Sequence, residues 1–303
     1  MITRRHFLTA VGALAAAPLL PRPVWAASSL SLGSLQFDIL SDGTLTLPGD
    51  FILGGMPQDE MKEIIGRYGL PTDQLTPPCN VTLLRDGTNT VLFDTGAGHD
   101  FMPTAGKLPA ALDALGVGTD EITHILLTHA HPDHLWGLLD DFDDPMFPQA
   151  EILIGQAELD YWTDPDTIDS IGEARTAFVV GAQRRLETVA DNIRTVADGE
   201  EVLSGIAARL TPGHTPGHLA YEVRSGTESV MVLGDAIGNH HVAFEQPEWA
   251  SGADQQPDMA AATRVRLLDQ LASEQTTLIG FHLPEGGIGR AERVGDTYRF
   301  VAA

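Results

Sequence analysis

Four side chains of metal-ligand type fall within six positions directly after an apolar run, where Ile125-Leu126-Leu127 leads into Thr128-His129-Ala130-His131-Pro132-Asp133-His134. The run reads as a short buried strand. Alternate residues of an extended chain share a face, so His129 and His131 point to one side at the strand end. Pro132 discourages the chain from continuing as a central strand. Asp133 and His134 are then free to turn toward a second cation. H-x-H-x-D-H is rare enough by chance to weigh as a metal motif rather than as a solvated polar loop.

Three more residues of the same chemistry adjoin short apolar runs. His214 lies in Thr211-Pro212-Gly213-His214-Thr215-Pro216-Gly217-His218, Asp235 follows Val232-Leu233-Gly234, and His282 stands in Ile279-Gly280-Phe281-His282-Leu283-Pro284. Each could project from a strand end into a shared cleft, the usual place for ligand sites in layered proteins.

The rest of the chain suits that picture. Apolar runs bounded by turn residues recur at 81–84, 91–93, 125–127, 152–154, 219–223, 230–233 and 278–281, and these are the expected strands. Leu108, Ala111, Leu112 and Leu115 repeat at helical spacing before a stop at Gly116, as do Val265, Leu268, Leu271 and Ala272 later. No repeat or linker interrupts the chain after Ser28, so residues 27–303 read as one α/β or α+β domain. Of 303 residues, 43% are hydrophobic and 20% charged, which argues against disorder and against a multispanning membrane protein. The formal charge of −24 disfavours nucleic acid and anionic membrane surfaces as partners. The single cysteine, Cys79, rules out an intramolecular disulfide and a multi-cysteine cluster, and it reads as a small buried side chain beside a strand.

Residues 1–26 differ in character. Arg4 and Arg5 precede an apolar run over 7–20, then a Pro-rich stretch and a small-residue end at Ala26 or Ala27. Thr3-Arg4-Arg5-His6-Phe7-Leu8 resembles a twin-arginine export signal, so the expectation is a folded protein passed by the twin-arginine (Tat) machinery to the periplasm or medium, with no membrane anchor in its mature form. Removing this segment takes away Arg4, Arg5 and Arg22 and no acid, leaving the mature chain more acidic still.

The order and surroundings of these motifs, together with the Asp94-Thr95-Gly96 turn, resemble the metallo-β-lactamase superfamily over essentially the whole mature chain. The resemblance implies an α+β fold, a four-layer αβ/βα sandwich with a dinuclear site at the sheet edges. It implies that His129, His131 and His214 hold one metal, that Asp133, His134 and His282 hold the other, and that Asp235 bridges them. Asp94 is expected to orient a ligand rather than to bind metal itself, and His218 is expected to be structural. Two divalent ions, zinc by default with manganese, iron or cobalt open, would activate a bridging hydroxide for hydrolysis, with Asp133 and Asp235 as the carboxylates that can take up the released proton.

The closing segment Phe281-His282-Leu283-Pro284-Glu285-Gly286-Gly287-Ile288-Gly289-Arg290 and the paired His240 and His241 resemble the branch that holds methyl parathion hydrolase and related lactonases. That branch implies a small neutral lactone or ester as substrate, phosphotriesterase activity in some members, and a homodimer. Lactonases of the acyl-homoserine type place a tyrosine three residues beyond the bridging aspartate, and here that position is Gly238. His240 or His241 is an alternative donor to the leaving group, and a packed histidine is the other reading. Phe51, Leu53, Trp162, His241 and Trp249 are the expected pocket residues, Trp136 is expected in the core, and residues 242–258 read as a lid, an oligomer contact or a long loop. The competing functions are β-lactamase or another hydrolase on this fold, an iron-dependent oxidoreductase, and a non-catalytic binding protein.

Overall fold

The computed structural model describes residues 26–303, so the export signal expected around Arg4 and Arg5 lies outside the described residues. Two seven-stranded sheets form the frame. The first runs, in both chain and spatial order, through Ala26–Leu32, Leu35–Thr44, Pro78–Arg85, Thr90–Phe93, His124–Leu126, Glu151–Gly155 and Ile193–Val196. Its first four strands pair antiparallel, and from Thr90–Phe93 onward the pairing is parallel. Parallel neighbours need crossovers: the helix Leu108–Leu115 supplies the first, the segment 127–150 with its short helix Pro132–Leu135 the second, and the helices Gln156–Thr163 and Thr176–Thr188 the third.

The second sheet follows as Glu201–Leu203, Ile206–Leu210, Leu219–Ser225, Glu228–Val232, Thr277–Ile279, Ile288–Val294 and Thr297–Ala302. Its single parallel junction joins Glu228–Val232 to Thr277–Ile279, bridged by the long helix Pro257–Glu274. Side-chain alternation assigns the layers. Val91 and Phe93 face the other sheet, joining Phe37, Tyr221, Val223 and Val232 in one core, while Leu92 between them faces the helices with Leu83 and Leu112. In the second sheet Met231 and Leu278 turn outward onto Leu267, Leu268 and Leu271 of the long helix. The central strands therefore bury both faces, which is why they read as continuous apolar runs rather than as polar–apolar alternation. The result is an α+β sandwich of helix, sheet, sheet and helix.

All seven expected strands fall on strands of these sheets. The helix Leu108–Leu115 ends at Gly116, whose left-handed φ of 77° closes the C-terminus by donating to the Leu112 and Asp113 carbonyls. The four segments carrying the candidate ligands are strand-end loops: residues 128–134 after His124–Leu126, the 211–218 turn between Ile206–Leu210 and Leu219–Ser225, Asp235 after Glu228–Val232, and His282 after Thr277–Ile279. One loop comes from the first sheet and three from the second, and they meet across the shared edge.

Candidate metal centre

His131 keeps extended geometry, with φ −65° and ψ 157°, and Pro132 opens the one-turn helix Pro132–Leu135. The strand alternation therefore ends at His131, and the helical turn redirects Asp133 and His134. The His134 carbonyl accepts from both N–H and Oγ1 of Thr95, which fastens this turn to the neighbouring strand end.

His129 Nε2 lies 3.0 Å from His131 Nδ1, which lies 2.9 Å from His214 Nε2. Three imidazole nitrogens converge inside the protein, where three hydrogens could not fit between them. Their outward nitrogens have partners: His129 Nδ1 meets Thr128 Oγ1 at 3.0 Å, His214 Nδ1 meets Asp254 Oδ1 at 3.0 Å, and His131 Nε2 meets the Gln255 amide at 3.1 Å. Burial first, and neighbouring imidazoles next, hold the pKa of His129 and His131 well below the ordinary histidine value, so both are neutral and offer lone pairs.

Beside this group lies a second one, richer in charge. His134 Nε2 is 3.4 Å from Asp133 Oδ2 and 3.3 Å from Asp235 Oδ1, and His282 Nε2 is 3.2 Å from Asp133 Oδ2 and 3.3 Å from Asp235 Oδ2. Asp235 Oδ2 is also 3.3 Å from His214 Nε2, so this carboxylate reaches both groups. Here too the outward nitrogens are fixed, His134 Nδ1 by Asp94 Oδ2 and His282 Nδ1 by the Pro78 carbonyl, both at 2.8 Å. Burial opposes charge on His134 and His282, but the carboxylates, Asp235 foremost, outweigh it and raise both pKa values well above normal. Such a cluster calls for positive charge.

The residues fit a pair of cations. Asp133 Oδ2, His134 Nε2 and Asp235 Oδ1 are buried without hydrogen-bond partners, a costly condition that inward-facing cations would relieve. All-histidine coordination on one side and mixed carboxylate–histidine coordination on the other are donor sets for borderline divalent metals.

The supports come from residues far apart in sequence. Asp94 accepts from Thr128 N–H, Thr128 Oγ1 and His134 Nδ1. His218 is a positioning group: its Nε2 accepts from the Asp235 N–H at 3.0 Å, so its Nδ1 carries the hydrogen given to Thr211 Oγ1. Glu158 was not legible as a site residue. Its buried carboxylate accepts from Ala130 N–H, Trp162 Nε1, Thr215 Oγ1 and Gly217 N–H, lacing the two histidine loops together. Asp254 in turn pairs with buried Arg264, which also donates to the Pro247 and Trp249 carbonyls. Gly213 explains the glycine in the 211–218 turn, because at φ +125° a Cβ would stand 2.2 Å from Ala260 N.

A cavity of about 310 Å³ opens on His131, Asp133, His214, Asp235 and His282. Phe51, His241 and Trp249 are on its wall, together with Leu45, Leu47 and Ile52. Leu53 and Trp162, expected there, are not. Leu53, 1% exposed at the end of the helix Gly49–Leu53, lies in the buried cluster that holds Met61, Ile64 and Ile65. Trp162 is fully buried behind His131, where its indole N–H is held by Glu158. Trp136 packs against Phe101 and under the Arg185 guanidinium. Within residues 242–258, Arg264 holds the carbonyls of 247 and 249, and Arg175 holds those of 252 and 253, so the segment is strapped to the site.

The family model of the metallo-beta-lactamase superfamily matches residues 76–282. The chain belongs to that superfamily. Among curated relatives, the uncharacterized protein YobT of Bacillus subtilis (strain 168) is 30% identical over 161 residues, a match that takes in 53% of this chain and 62% of YobT, less than two thirds of that relative's length. Among solved structures, AidC, described as a dizinc quorum-quenching lactonase in complex with a product, superposes with a TM-score of 0.86 at 27% identity, covering 91% of this chain and 97% of AidC. The hydrolase AbOPH of the beta lactamase superfamily gives 0.83 at 28% identity, covering 91% and 96%.

Proposed function

We propose that this superfamily member is an exported, metal-dependent hydrolase that opens neutral lactones or cleaves related esters. The observation that carries the reading is the convergence of seven buried ligand side chains, three with partnerless inward atoms, on the floor of an apolar cavity. Similarity to a dizinc lactonase and to another hydrolase of the superfamily supports it.

In this reading His129, His131 and His214 would hold one ion and Asp133, His134 and His282 the other, with Asp235, whose carboxylate reaches both groups, a donor available to either. Bound divalent ions would supply Lewis acidity, polarising the scissile carbonyl and making water available as a nucleophile near neutral pH. The chain's own groups do the rest. Asp133 and Asp235 are the carboxylates placed to take up the proton. Leu45, Leu47, Phe51, Ile52 and Trp249 exclude water and bind an apolar substituent. His241 Nδ1 accepts from Val242 N–H, so its hydrogen is on Nε2. Burial pushes its pKa down to about 3, with His240 adding to the effect, so His241 serves as a neutral hydrogen-bond donor to the leaving oxygen where Gly238 offers no hydroxyl. The two guanidiniums on the cavity wall, Arg175 and Arg264, are committed to backbone carbonyls and Asp254, which favours an uncharged substrate over the carboxylate of a β-lactam.

The test is a panel of aliphatic and aromatic lactones, aryl esters, a β-lactam and a neutral phosphotriester given to the metal-loaded protein, with Asp235→Asn alongside. Lactones or esters should turn over fastest, any phosphotriester more slowly, and the variant should lose about 100-fold or more. Preferred hydrolysis of the β-lactam, or no hydrolysis with metal bound, overturns the substrate assignment. Export through the twin-arginine route is part of the same proposal. The protein should appear in the periplasmic or secreted fraction, and Arg4→Lys with Arg5→Lys should retain it in the cytoplasm.

A further inference from the structure

The strand Pro78–Arg85 begins against the turn that carries His282. His282 Nδ1 and the Pro78 carbonyl are 2.8 Å apart, Asn80 N–H donates to the Phe281 carbonyl at 2.9 Å, and the Asn80 amide donates to the Leu283 carbonyl at 2.8 Å. Hydrogen bonds on both sides of Cys79 thus clamp it beside the second group of ligands. Its thiol, a carboxylate oxygen of Asp133 and a ring nitrogen of His282 lie within 4.8 Å of one another, and all three residues are buried. Asp133 is only 6% exposed, and its Oδ2, without a hydrogen-bond partner, is 3.2 Å from His282 Nε2. Cys79 belongs to the apolar core with Leu40, Val81 and Phe281, and at the core's edge its thiol meets this carboxylate and imidazole.

We propose that Cys79 is a further ligand of the second metal position, giving it a nitrogen, oxygen and sulfur donor set. The proposal rests on the two-metal reading above. On coordination a sulfur–metal bond forms and the thiol proton leaves to solvent, with no change of oxidation state. A sulfur donor biases the position toward zinc or cadmium and away from manganese or magnesium.

Cobalt substitution tests this directly, because Cys79 is the single cysteine in the chain and any thiolate signal must come from it. Metal-stripped wild type, Cys79→Ser and Cys79→Ala are loaded with Co2+ after their metal-free melting curves are compared. The wild type should show a near-ultraviolet sulfur-to-cobalt charge-transfer band beside the visible cobalt bands. Both variants should lose the first and keep the second, and their zinc affinity should fall roughly 10- to 100-fold. Visible cobalt bands in the wild type without the charge-transfer band overturn the sulfur ligand and leave the two-metal reading standing. Absence of any cobalt band overturns both. Should the variants fail to fold, the wild-type spectrum decides alone.

Discussion

Glu158 shows how much of this site depends on groups that never face the cavity. Four donors surround its carboxylate, two on each oxygen, so Glu158→Gln must aim an amide N–H at another donor. The variant should lose about 1–3 kcal/mol in urea unfolding and bind zinc roughly 10- to 100-fold more weakly in chelator competition. Unchanged metal affinity would remove Glu158 from the positioning role. Asp42 makes a comparable hub, accepting from the N–H groups of Ala97, Gly106 and Leu108. Burial, only partly offset by these hydrogen bonds, raises its pKa from 3.8 to about 6. The folded protein therefore holds this proton more tightly than the unfolded chain. Its contribution is fully present below pH 3.8 and is lost as pH rises through 6, about 3 kcal/mol in all. Stability curves of wild type and Asp42→Asn between pH 4 and 7 should differ by that slope, and parallel curves would contradict it.

At the scale of elements, Arg264 on the helix Pro257–Glu274 joins the cavity wall to a ligand. It holds the carbonyls of Pro247 and Trp249 and pairs with Asp254, which orients His214. Arg264→Lys cannot reproduce the planar fork. KM for a lactone should rise roughly tenfold, about 1.4 kcal/mol, with kcat changed less, whereas equal loss in both would place the effect on the metal instead. Central strands such as Thr90–Phe93 were legible because burial on both faces leaves compact apolar runs between turn residues. Strands with mixed burial, Leu35–Thr44 and Ile193–Val196 among them, carried no such run. The H-x-H-x-D-H segment was legible because its ligands are local in sequence. Glu158, Asp254 and Arg264 were not, since a lone acid or arginine on a helix or loop reads as solvated surface until tertiary packing buries it. Leu53 and Trp162 were misplaced for the converse reason: an apolar residue near a loop suits a pocket wall and a core equally well, and only the helix phase separates Phe51 from Leu53.

For the whole molecule, the candidate ligands come from both sheets, so metal bound there would tie the two halves together. Ions that bind only the folded state stabilise it by mass action, about 2.7 kcal/mol at a hundredfold excess over Kd. Chelation should lower the melting temperature by roughly 5 °C or more, and a melting curve indifferent to chelator would contradict a metal bridge between the sheets. Because the sheets share one core, we propose that residues 27–303 unfold in a single transition in either state. The neutral substrate proposed above would meet the protein at a rate insensitive to its formal charge of −24.

The most direct measurement is a zinc titration of the metal-free protein followed by the rate of lactone hydrolysis. The account predicts negligible activity without metal, a rise that levels off near two ions per chain, and no comparable rise in Asp235→Asn. Full activity in the stripped protein, or a wild-type rate indifferent to added zinc, would contradict it.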